Sequence, residues 1–126
     1  MNGWMLASGL MALSCAGGHA FAGLNMFYRP IKSAITNKLH VGILTGMWHL
    51  ITIHFTLSAV ALLVLGAYGH LDAVAWLIAA QFACYATVYL FISLRLGGVF
   101  KLSQWMPFAA TAILAAAGAL TAHSSA

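Results

Sequence analysis

Residues Tyr28–His40, YRPIKSAITNKLH, decide the fold. This stretch carries Arg29, Lys32 and Lys38, three of the five cations in a chain of 126 residues. The other two, Arg95 and Lys101, lie in a second gap, RLGGVFKLS (95–103). On either side of both gaps the sequence is apolar. The chain as a whole is 63% hydrophobic and only 5% charged, against roughly 25% charged in a soluble domain. Six charged side chains cannot cover a water-exposed surface, so most of that surface must face lipid or protein.

Working outward from the gaps, four segments reach the roughly 20 apolar residues a spanning helix needs. They are 3–27, 41–67, 73–94 and 104–122. Met1-Asn2-Gly3-Trp4 has no cationic n-region, so the first segment reads as a helix rather than a signal peptide, despite Ala20-Phe21-Ala22. The expectation is one all-α domain, an integral membrane bundle of four transmembrane helices. With four spans the two basic gaps fall on one side. The positive-inside rule makes that side cytoplasmic and puts both termini in the periplasm or exterior, a multi-pass placement in a bacterial inner membrane. Five cations next to lipid set topology and meet anionic headgroups; no nucleic-acid partner is expected.

Local signals agree. Arg29-Pro30 is expected to stop the first helix, because the residue before proline avoids the α region. Asp72 and Ser103 are candidate N-caps, and Pro107 falls in a first turn where a missing N–H costs little. Trp4, Trp76, Trp105, Tyr28 and Tyr68 fit an aromatic belt. The short connections predict antiparallel packing of sequential neighbours. Small residues should form the contacts: Gly42 and Gly46 as a G-x-x-x-G, the stripe Cys15, Gly18 and Ala22 beside Ala16, His19 and Gly23, and the run Ala115–Ala119. Cys15 and Cys84 have no C-x-x-C spacing and read as buried, reduced thiols.

The chemistry-bearing residues are histidines. Thr45, His49, Thr52 and Thr56 share one helical face. His54 lies about 140° from His49, so the two do not make an i, i+4 metal clamp. His19 and His49 are each eight residues from a basic gap, about 12 Å deep at 1.5 Å per residue, and His54 is about 7 Å deeper. An ionisable residue inside a bilayer points to function. His19 and His49 are therefore the candidate cofactor ligands, for haem or a copper or zinc ion, with His54 as a further metal ligand. Gln81, Tyr85 and Tyr89 share a face of the third helix and could supply partners to a quinone head group. The rival reading has neutral histidines simply hydrogen-bonded across helices. No carboxylate falls within a span, which argues against coupled transport. His40, His70 and His123 are expected to be solvated, with His70 and Asp72 as an alternative exposed metal pair.

Gly18-His19, Arg29-Pro30 and Trp48-His49 together resemble the pattern of small four-helix bacterial inner-membrane proteins. The resemblance covers mainly the first half and implies a topology without an activity. Small multidrug exporters share the size but need an acid in helix 1; four-helix thiol oxidoreductases need paired cysteines. The nearest functional analogy is the membrane anchor of a respiratory complex, an argument of class only. The expected function is a non-catalytic membrane subunit or binding module. Its intramembrane histidine site would take haem, a metal ion or quinone, within a larger electron-transfer or membrane-enzyme assembly. A purely structural accessory subunit without cofactor is one alternative, and a small transporter or channel using the polar face of helix 2 is another. Other membrane subunits or further copies of the chain are the expected partners, besides lipid.

Overall fold

The computed structural model describes residues 1–69 and 72–123. Among these residues every regular element is helical. Four helices are long and apolar enough to cross a membrane: α1 Gly3–Ala34, α2 Lys38–Tyr68, α3 Asp72–Arg95 and α4 Trp105–His123. This marks a multi-pass membrane protein. The helix ends fall at or near the expected boundaries except for the first. His70 lies outside the described residues, as does the side chain of His123.

Asparagines start the first two helices. Asn2 Oδ1 accepts from the N–H groups of Trp4 and Met5, and Asn37 Oδ1 accepts from Leu39 at 2.9 Å; each cap satisfies donors that a helix start leaves open. Asp72 is the first residue of α3. At the start of α4, Met106 N–H donates to the Ser103 carbonyl, a backbone turn, and Pro107 sits in the first turn as expected. Gly69 ends α2 with φ +75°, a conformation side chains rarely adopt.

Arg29-Pro30 does not stop α1. The helix continues to Ala34 because its middle, Gly18–Tyr28, is wound as a π-helix. Arg29 N–H bonds the Leu24 carbonyl, five residues back. In an α-helix the proline ring would strike the carbonyl four residues back. The wider winding displaces the carbonyls ahead of Pro30 and relieves that clash.

α1 packs closely on α2 and on α4, and α4 packs closely on α3. The sequential pair α2 and α3 meet mainly through rings: Phe55 lies 5.8 Å from Phe82 and 6.0 Å from Tyr85 between centroids. Residue size explains the difference. A Cβ at Gly9 or Gly66 would strike Leu63 or Leu6 across the α1–α2 contact, and one at Gly118 would lie 2.5 Å from Met5 Cγ. Ala12, Ala59, Ala115 and Ala119 are fully buried. These close approaches give the dispersion contact that holds helices together where lipid removes the hydrophobic drive. Gly42 and Gly46, expected to pack, face open space and are exposed. Cys15 is buried, but Cys84 is exposed rather than buried.

The bundle closes at the end that holds the N-terminus. There Asn2 N–H donates to the Gly66 carbonyl and Asn2 Nδ2 to the Gly118 carbonyl, both at 2.7 Å. Ser8 Oγ donates to the Thr111 carbonyl at 2.8 Å. The close approach of α4 to α1 runs along Gly3–Gly17. Beyond it, toward the basic loops, the π-wound part of α1 stays with α2 and separates from α4.

Candidate functional site

The divergence of α1 from α4 opens a cleft of about 540 Å³. One wall is Cys15, Gly18, His19, Ala22 and Met26 of α1; the other is Pro107 and Phe108 of α4 with Gln104 just before it. Trp48 and Phe55 of α2 and Tyr89 of α3 form the floor. Ser14, Gly18, Ala22 and Met26, four residues apart along α1, are exposed and border the mouth. The cleft therefore opens sideways on the outer face of the bundle. A smaller cavity of about 320 Å³ lies between α2 and α3, lined by His54, Tyr85, Leu50 and residues shared with the cleft, among them Phe55 and Tyr89.

His19 is half-buried at the centre of the cleft wall. Its ring stacks on Trp48, with centroids 3.9 Å apart and planes at 21°. Its Nε2–H donates to the Trp48 carbonyl at 3.3 Å. Gly23 supplies the space for this arrangement, since a Cβ there would meet the far edge of the Trp48 indole at 3.0 Å. Below the pair, Tyr28 is buried rather than part of an outer belt. The Thr45 hydroxyl donates to the Val41 carbonyl, so Tyr28 OH is the donor in the 2.8 Å bond to Thr45. An aromatic contact of this kind contributes about 0.5–1.5 kcal/mol, and an interhelical hydrogen bond in a membrane about 0.6 kcal/mol. Together they fix the orientation of His19 without carrying the stability of the fold.

His49 is exposed and lines neither cavity. The residue on α2 that faces His19 is Trp48. His54 is half-buried, 3.5 Å from the Ser58 hydroxyl and edge-on to Tyr85. His19 and His54 flank Phe55, each ring about 6 Å from it, at 5.9 and 6.0 Å. Among the described residues no three His, Cys, Asp or Glu side chains gather as a metal site. A haem held between His19 and His49 does not fit this donor set, because His49 is turned out of the cleft and His19 has committed Nε2 to a carbonyl. The polar stripe of α2 is closed on itself: Thr45, Thr52 and Thr56 each donate to the carbonyl four residues back. Gln81 Nε2 donates to Tyr85 OH at 3.0 Å, while Tyr89, on the same face, reaches both cavities.

Three residues at or near the cleft had only faint signals in the sequence. Gln104 lies at a helix boundary, yet its Oε1 is buried without a hydrogen-bond partner. Trp48 was visible only as the neighbour of a histidine. Ser93 is fully buried and organises the α3–α4 loop that carries Gln104. Its hydroxyl lies 2.7 and 2.8 Å from the Gly98 and Val99 carbonyls and accepts from Leu102 N–H at 3.0 Å.

No protein-family model, curated protein or solved structure matches the chain.

Proposed function

We propose that the chain is a membrane-embedded binding module for a lipid-soluble ring compound of the quinone class. It would serve within a larger electron-transfer or membrane-enzyme assembly in a bacterial inner membrane, with the basic loops cytoplasmic and both termini outside. The observation that carries the reading is the aromatic cleft with His19 set in one wall. Its volume falls within the roughly 300–1,000 Å³ of small-molecule sites, which are mostly apolar with a few placed polar groups. The cleft opens on the outer face of the bundle, so in a membrane its apolar lining meets lipid or a lipid-soluble ligand. The aromatic lining with His19 set among it suits a flat ring with polar substituents, entering sideways from the bilayer with its tail left in lipid.

The test uses Gly18, which borders the mouth and has open space where a Cβ would go. A short-chain benzoquinone is titrated into the purified protein in nanodiscs while tryptophan fluorescence is followed. Saturable quenching is expected, lost in Gly18→Leu and kept in Gly17→Leu, where the added side chain also meets open space but lies outside the cleft. Linear quenching that is identical in both variants means partition into lipid and removes the proposal in favour of a structural subunit.

A further inference from the structure

The outward side of α2 carries a pattern that the cleft does not use. Gly42, Gly46, His49, Ile53, Thr56 and Val60 are all exposed. Their spacing alternates four and three residues, the a and d positions of a heptad. At 100° per residue they fall within about 80° of one another around the helix. The α2 residues that line the cleft, Trp48, Ile51 and Phe55, lie on the other side. A Cβ at Gly42 or Gly46 would meet nothing within 4 Å, so a second helix can approach closely there. The Thr56 hydroxyl is already satisfied by the Thr52 carbonyl at 2.9 Å. His49 is not: among the described residues it has no hydrogen-bond partner, and it lines neither cavity. About 12 Å inside the basic gap, its ring would leave one N–H and one lone pair bare in hydrocarbon. Ionisable side chains at such depth face protein or a watery cavity rather than lipid.

We infer that this face of α2 packs against the same face of a second copy of the chain, with His49 paired to His49 across the seam. Register and chemistry both select a second copy. The basic loops insert every copy in one direction, so two α2 helices meet in parallel. A two-fold axis along the membrane normal then sets each residue opposite itself. Glycine meets glycine at the basic end, and the two His49 rings meet at one depth. A neutral imidazole carries one donor and one acceptor, so the ring is complementary to its twin: the N–H of one donates to the bare nitrogen of the other. Ile53, Thr56 and Val60 extend the seam with β-branched side chains that have little rotamer freedom to lose.

The experiment needs no ligand and is independent of what the cleft binds. The protein, carrying a fluorophore at its C-terminus, is reconstituted in liposomes, and energy transfer between copies is followed as lipid is added. A reversible dimer is expected. Gly46→Leu, whose side chain meets open space in the single copy, should abolish it. His49→Leu should weaken it about 3- to 30-fold, the range of one interhelical hydrogen bond in a membrane. His49→Gln keeps a donor and an acceptor and should restore most of the association. Met47→Leu, exposed but about 160° around the helix from His49, should change nothing. In a background lacking Cys15 and Cys84, Ile53→Cys should form a disulfide between copies on mild oxidation and Met47→Cys should not. A monomer at every dilution overturns the proposal. So does a dimer that withstands both Gly46→Leu and His49→Leu, or one that cross-links through Met47→Cys and not through Ile53→Cys.

Discussion

At the scale of single residues, the cleft depends on side chains whose importance comes from what they face. His19 was legible in the sequence because a histidine inside an apolar helix is costly. Its partner was not, because depth alone cannot tell which of two adjacent residues on α2 turns inward. Trp48 and His49 are at nearly one level and about 100° apart around the helix, and the large ring fills the gap left by Gly23. Ser93 was illegible for a different reason. A serine inside an apolar helix has no pattern, and its value lies in the loop that folds back over it. Ser93→Ala should lower stability by about 1–3 kcal/mol, since it removes the side-chain partner of the Gly98 carbonyl and of the Leu102 N–H. A drop in the thermal midpoint of the purified protein is the expected result. An unchanged midpoint would show that the loop is held by other contacts, such as the 2.9 Å bond from Trp105 Nε1 to the Val99 carbonyl.

At the scale of elements, the sequence located four spans because two clusters of cations interrupt an otherwise apolar chain. It does not show the length of α1, because π winding has no local residue signature and a proline by itself reads as a stop. It also assigned close packing to Gly42 and Gly46, which face outward, while Gly9, Gly66 and Gly118 make the contacts. Small-residue spacing shows where a helix can be approached, and only the neighbouring helix decides where it is. The adjacency of α1 and α4 can be checked directly. In a background lacking Cys15 and Cys84, the pair Ser8→Cys and Thr111→Cys should cross-link on mild oxidation, since Ser8 Oγ lies 2.8 Å from the Thr111 carbonyl. Both positions are fully buried, so failure of this pair to cross-link in folded protein would contradict the close α1–α4 contact.

At the scale of the whole molecule, orientation follows from the two basic loops. A reporter enzyme active only outside the cytoplasm should be active when fused after Ala126 and inactive when fused after Lys101; the opposite pattern would reverse the proposed sidedness. The architecture also has a mechanical consequence. The α1–α2 and α3–α4 pairs are clasped together at one end by Asn2, Met5 and Ser8, and they separate toward the other. This is the arrangement of a clothes peg, with the clasp as pivot. A helix of about 20 residues is a lever arm of about 30 Å, so a rotation of about 5° at the pivot moves the free ends by about 2–3 Å. The width of the cleft would then respond to the lateral pressure of the surrounding lipid, and the bilayer itself would act as a spring on the jaws.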